Sequence, residues 1–198
     1  NQLFSALRSG FPSMHLNLFR ADSKNALEQL RSGVADMAIY SSVPSKIKED
    51  PGELLYQEEL VMAVPFSGNG EPEKEAGREN IIDSNQLSAS SLIIPVEDSH
   101  MGKLLYPLLR SYYVNLEDCY TADSYSGISL LFQNGYGSAF LPSRLLAREK
   151  TKDYKIYHAD PPMRYDLRFM AGERLKKEKV AADMLCLIRK QIQSSEEN

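Results

Sequence analysis

The sequence predicts an α/β protein of two lobes, and three observations carry that prediction. Helix-like and strand-like segments alternate along the chain. The alternation runs twice, over 1–40 and again over 91–142, with a different apolar spacing each time. A charged, glycine-containing stretch separates the two runs. With 198 residues, 42% hydrophobic and 25% charged, the chain can bury one large core or two small ones. Its 23 Lys+Arg stand against 27 Asp+Glu, a net charge of −4. A surface that holds a polyanion carries a basic excess, so these residues are not expected to grip DNA or RNA themselves.

Taken in order, Leu3, Phe4 and Leu7 lie on one face of a helix that Gly10 and Pro12 stop. His15–Phe19 alternates as a strand does. Asp22 or Ser23 can cap a second helix, with Ala26, Leu27 and Leu30 inward and Gly33 closing it. Asp36–Tyr40 has the length of a buried strand. Helix, strand, helix, strand implies a parallel sheet with right-handed crossovers. Ser41–Gly52 reads as a loop, and Leu54–Gln57 and Glu59–Pro65 as two strand-like pieces. The charge run Glu71–Glu75, within a stretch holding three glycines, reads as a solvated surface crossing.

The second unit opens with the apolar strand Ser91–Pro95. Ser99 can cap a helix with Leu104, Leu105, Leu108 and Leu109 on one stripe. Tyr120–Ala122 is a short strand. Ser124 or Ser126 can cap the next helix, with Ile128, Leu131 and Phe132 inward, and Gly137–Pro142 is a buried strand stopped by proline. Tyr165–Ala171 returns to a strand. A final helix is expected from about Leu175 to Gln193, with Val180, Met184, Leu187 or Ile188, and Ile192 inward. Lobe I is thus residues 1–64 with 161–198 and lobe II residues 65–160, with crossings near Pro65 and near Lys155–Pro162.

Catalytic signatures are missing from the sequence. It has no GxSxG, GxxxxGK[ST], HExxH or GxGxxG, and Gly135-Tyr136-Gly137 stands after a helix and before a strand, the reverse of a dinucleotide loop. His15, His100 and His158 fall in three different elements, and Cys119 and Cys186 sit in no CxxC, so no metal site and no cofactor are assigned. What recurs is a hydroxyl-bearing residue opening a helix just after a strand: Ser23, Ser99, and Ser124 or Ser126. In an open parallel sheet such helix starts face one edge and offer backbone N–H groups and partial positive charge to a small anion. Each serine also caps its helix, worth about 1 kcal/mol, and capping is compatible with binding.

Several runs together resemble one known family. Phe4…Phe11-Pro12…Leu16-Asn17-Leu18, then Leu27…Leu30…Gly33-Val34-Ala35-Asp36-Met37-Ala38-Ile39, are similar to the effector-binding domain of LysR-type transcriptional regulators. So are Leu55…Glu58-Glu59-Leu60-Val61-Met62-Ala63-Val64-Pro65 and Gly135-Tyr136-Gly137-Ser138-Ala139-Phe140-Leu141-Pro142, and the likeness spans residues 1 to about 190. The resemblance implies two Rossmann-like lobes joined by two crossover strands, as in type 2 periplasmic binding proteins, with an effector between them. It implies a cytoplasmic, non-enzymatic sensor of a small polar or anionic metabolite. Its partners would be a second copy of itself, paired antiparallel and tetrameric at full length, and DNA through an N-terminal winged helix-turn-helix expected to precede Asn1, with no membrane.

By the same resemblance, the helix holding Leu3–Leu7 would meet a neighbour's helix around Lys103–Tyr113. The family's first strand is likewise expected upstream of Asn1. The effector contacts it implies are Ser23, Tyr40, Ser41, Asp98, Ser99, His100, Asp123, Ser124 and Tyr125. Asp22, Asp98 and Asp123 would repel a plain anion, so a zwitterionic ligand is expected as readily as an acid. The alternative with the same fold is a solute-binding protein of a transport system. An enzyme on this fold finds no nucleophile–base pair in the sequence.

Overall fold

The structure, a computed structural model, describes residues 2–43, 50–65, 80–89, 91–146, 154–176 and 178–194. The chain divides into two compact units, residues 1–57 with 166–198 and residues 58–165. It passes between them inside two strands, β2 (Glu53–Pro65) and β7 (Arg164–Ala171). The expected charged crossing at Glu71–Glu79 lies outside the described residues.

In unit 1, α1 (Gln2–Gly10) and α7 (Lys179–Ser194) pack together, and Leu7 of the first and Ala181, Met184 and Ile188 of the second are buried. The α7 stripe is therefore Ala181, Met184, Ile188. Val180, placed inward by the sequence, is exposed in the first turn because the helix begins at Lys179 and not near Leu175. Helix α2 (Ser23–Arg31) sets Ala26, Leu27 and Leu30 against Ala38 and Tyr40 of β1 (Met37–Ser42). Gly33, with φ at +75°, closes that helix in the left-handed conformation that glycine adopts most readily. β1 runs antiparallel to β7, with Ile39 opposite Phe169 and Tyr40 opposite Arg168, and β2 follows β7 in the strand order.

Two expectations change here. His15–Phe19 forms no strand: its alternating pattern is present, but Leu16, Leu18 and Phe19 are exposed and no described strand lies alongside. The β1–β7 pair of unit 1 is antiparallel, made by the C-terminal return of the chain, where the alternation of the first forty residues implied a parallel sheet.

Unit 2 follows the predicted α/β rhythm. Strand β3 (Leu92–Pro95) is central and wholly buried. It pairs in parallel with β4 (Tyr120–Ala122) on one side and with β5 (Ser138–Pro142) on the other. The unit 2 part of β2 runs antiparallel to β5 and carries β6 (Tyr154–Tyr157) on its far edge. The pieces expected at Leu54–Gln57 and Glu59–Pro65 are one continuous strand; Glu58, which separates them in sequence, is a buried carboxylate within it. Leu60–Ala63, Ile93, Ile94 and Ala139–Leu141 are sealed from solvent. Helices α4 (His100–Ser111) and α5 (Tyr125–Gln133) cover them with Leu105, Leu109, Ile128 and Phe132. Two short helices, α3 (Ser84–Ala89) and α6 (Ser143–Leu146), have no clear sequence signal because neither spans two full helical turns.

Gly137 has a local reason. A Cβ there would overlap the carbonyl oxygen of Ser91, whose bond from the Ser138 N–H at 2.9 Å starts the β3–β5 ladder. Together α4 and α5 follow β3 and β4, two adjacent parallel strands, so their N-termini open on the same sheet edge.

Candidate functional site

In unit 2 each of the two helix starts carries its own cap. Ser99 caps α4: its hydroxyl accepts from the Gly102 N–H at 2.9 Å and donates to the Val96 carbonyl at 2.7 Å. Gly102 is required there, since a Cβ would run into the Val96 and Glu97 carbonyl oxygens. Ser124, not Ser126, caps α5 and accepts from the Gly127 N–H at 3.3 Å. The strand ends beneath are tied by the Val96 N–H donating to the Ala122 carbonyl at 3.1 Å. Neither helix has an acidic residue in its first turn, so the partial positive charge of both N-termini is uncompensated within the helices.

The first helical residue of each supplies a side chain. His100 opens α4; its ring meets Tyr165 edge-on, centroids 6.3 Å apart. Tyr125 opens α5, and its hydroxyl lies 3.0 Å from that of Tyr165. Tyr165, fully buried at the start of β7, therefore stands between two helix starts. Burial pushes the His100 imidazole below its ordinary 6.5, and Lys103 adds to the shift, so the ring is neutral at pH 7. Its Nε2 is shielded from solvent and has no hydrogen-bond partner among the described residues. Asp98 and Asp123, predicted contacts that directly precede the two capping serines, are exposed.

In unit 1 the structure joins Ser23 and Ser41. Their hydroxyls are 2.9 Å apart, and the Ser41 N–H donates to Ser23 Oγ at 3.1 Å. The cap of α2 is Asp22, which accepts from the Asn25 N–H at 2.8 Å and the Asn25 amide at 2.6 Å; Ser23 is left to hold β1. Tyr40 turns inward: its ring is core, and its hydroxyl donates a short bond to Asp50. Burial, then the Asp50 carboxylate, drive the Tyr40 phenol well above its ordinary value. Burial also pushes the Asp50 carboxyl up. The Tyr40 and Ser42 hydroxyls, the Gly52 N–H and the Arg168 charge outweigh it and hold that carboxyl below 3.8.

This network runs through residues that sequence reasoning missed. Arg168 donates to the Gly52 carbonyl at 2.7 Å, the Asp50 carbonyl at 3.4 Å and the Asp166 carboxylate at 2.7 Å. Buried Asp166 also accepts from the Gln57 amide at 3.3 Å. Polar residues at alternate positions on a predicted strand, Asp166 and Arg168, were the one available signal.

The arrangement can orient a small polar molecule by hydrogen bonds and helix dipoles. No group of three or more His, Cys, Asp or Glu among the described residues could hold a metal ion. Among them, too, no helix is long and apolar enough to cross a membrane. A cavity of about 360 Å³ lies elsewhere in unit 1, lined by Gly10, Phe11, Asp183, Cys186, Leu187 and Lys190, and none of the predicted contacts borders it.

The chain is similar in structure to the regulatory domain of HypT from Salmonella typhimurium in its apo form. The TM-score is 0.68 at 17% identity, covering 97% of this chain and 90% of that one. It is similar to the OxyR2 E204G regulatory domain from Vibrio vulnificus, with TM-score 0.67 and 16% identity over 96% of this chain and 89% of that one. It is also similar to a Corynebacterium glutamicum OxyR C206 mutant, with TM-score 0.66 and 16% identity; there 98% of this chain covers 60% of the other, so this chain spans less than two thirds of that protein. At such identities the likeness shows the fold, two α/β lobes of the type 2 periplasmic-binding-protein kind. No curated protein matches the sequence. The family model of the LysR substrate binding domain matches residues 1–174, and the chain belongs to that family.

Proposed function

We propose that this chain is the effector-sensing part of a bacterial LysR-type transcriptional regulator. It binds a small polar or anionic metabolite and thereby sets the activity of a DNA-binding domain attached to it in the full-length protein. Beside family membership, the observation that carries this reading is the pair of uncompensated helix starts in unit 2, with a neutral His100 and the Tyr125 hydroxyl beside them. Ser99 and Ser124 have their hydroxyls committed to caps, so the contacts of this half are His100, Tyr125 and the N–H groups of the first turns. In unit 1 the joined pair Ser23 and Ser41 offers hydroxyls of its own to a polar ligand.

With exposed Asp98 and Asp123 directly before the two caps, a zwitterion such as an amino acid fits as well as a simple acid: its acidic group faces the helix starts and its ammonium group the carboxylates. A ligand changes the state of the protein only by its differential affinity for two conformations. A regulator of this kind works in the cytoplasm as a homodimer, which sets the helix holding Leu3–Leu7 against a second copy's helix around Lys103–Tyr113.

A thermal-shift screen with amino acids, aromatic acids and sugar phosphates, followed by calorimetry on any hit, tests the reading. A stabilising ligand is expected, with Tyr125→Phe and His100→Gln each weakening it about tenfold, the worth of one hydrogen bond to a charged group. If no ligand of these classes raises the midpoint, the site is wrong as drawn.

A further inference from the structure

The chain passes between its units twice, and at both places the boundary falls between two neighbouring residues, each anchored into its own unit. On β7 the neighbours are Tyr165 and Asp166. Successive strand residues point to opposite faces. Tyr165 is buried in unit 2 between His100 and Tyr125, and Asp166 is buried in unit 1 between Arg168 and Gln57. On β2 they are Gln57 and Glu58. Gln57 donates to Asp166 in unit 1. Glu58 is buried in unit 2, where it accepts from the Ser143 hydroxyl at 2.8 Å and the Arg144 N–H at 3.4 Å at the start of α6.

We infer that Tyr165 is the positioning residue that passes the state of the His100–Tyr125 half-site into unit 1, through its chain neighbour Asp166 and the Arg168 network. That an effector sets the state of this half-site rests on the function proposed above; the coupling itself does not. Three features support it. Tyr165 touches the first helical residue of both α4 and α5, so a molecule held at either helix start acts on one buried phenol. One peptide unit then separates that phenol from Asp166, with no glycine or loop between them to absorb a displacement.

The Asp166 network also resists being broken. Its carboxylate is buried against Arg168, and parting the two would leave an uncompensated charge out of water. Arg168 in turn grips the Asp50 and Gly52 carbonyls, and Asp50 holds Tyr40, so the network shifts as a piece. The expected receivers of a change at Tyr165 are therefore β7 beyond Asp166, its partner β1, and the 50–57 stretch.

Hydrogen exchange on the ligand-free chain tests this without knowledge of the metabolite. Tyr125→Phe removes one hydroxyl from the unit 2 end. Exchange is expected to quicken about fivefold at the β7 and β1 amides of unit 1, the change that follows from losing one neutral hydrogen bond. Tyr154→Phe removes the hydroxyl that donates to the Leu146 carbonyl at 2.8 Å, a bond of unit 2 outside the relay, and should leave those amides unchanged. In the reverse direction, Asp166→Asn should quicken exchange in the first turn of α5. Effects confined to the unit that carries each substitution would overturn the inference, as would Tyr154→Phe acting on unit 1 like Tyr125→Phe. A screen that finds no ligand would sink the proposed function and leave this coupling standing; a ligand found without the coupling would do the opposite.

Discussion

His100 has given up much of its hydration to sit at the first position of α4, and a proton there is unwelcome. Because its folded pKa lies below the ordinary 6.5, the unfolded chain binds the proton more readily. The stability this confers is present above that value and is lost as pH falls through 6.5 toward the folded pKa. The melting midpoint should drop between about pH 7 and pH 5, and His100→Gln should flatten that part of the profile. An equal drop in both proteins would assign it to other groups.

Gly52 makes a second case at this scale. A Cβ there would overlap the Tyr40 hydroxyl. Gly52→Ala should therefore cost about 1–3 kcal/mol in urea unfolding, and less in a Tyr40→Phe background where the nearest clashing atom is gone. Equal costs in both backgrounds would place the strain elsewhere. No sequence pattern announces such a glycine, because its need arises from a side chain twelve residues away. The same holds for Tyr40. Its place after an apolar strand is legible, but whether a tyrosine lines a site or fills a core depends on its partner, and Asp50 could not be paired with it from spacing.

Among the elements, what could be read were those whose signals are local. The buried strands β3 and β5, helices α4 and α5 and their caps follow from apolar runs, stripes and a hydroxyl at the right place. His15–Phe19 shows the limit: alternation marks a segment that can pair, while a strand exists only where a second strand lies beside it. The antiparallel β1–β7 pair was equally out of reach, being a contact between segments more than a hundred residues apart.

The cap at Ser99 permits a prediction at this scale. Its hydroxyl both receives the Gly102 N–H and reaches Val96, so Ser99→Ala should cost about 1 kcal/mol or somewhat more. Ser99→Asp keeps the acceptor and suits the helix dipole, so it should recover most of the loss. Chemical unfolding of the three proteins decides this. If Ser99→Asp is no better than Ser99→Ala, Ser99 contributes something other than a cap.

For the whole molecule, the telling feature is apolar surface that the described residues leave in water. Leu18 is 73% exposed and Phe19 61%, both in the extended segment that pairs with no described strand, and Phe4 on nearby α1 is also exposed. An extended segment with no described strand beside it and with exposed apolar side chains forms a surface that associates unless it is covered. A two-fold pairing uses one patch on both copies, and a stable one hides on the order of 1,200–2,000 Å² in all. An extended segment and one helix face per copy supply surface on that scale. The −4 net charge argues for the same partner, since it disfavours a polyanion and leaves apolar contact as the attraction. Light scattering at high protein concentration should give twice the chain mass. Leu18→Asp with Phe19→Asp should return it to a single chain mass with an unchanged circular dichroism spectrum, since neither side chain belongs to the buried core. A wild-type chain that stays monomeric would remove the pairing, and a double variant that still dimerises would move the interface away from this segment.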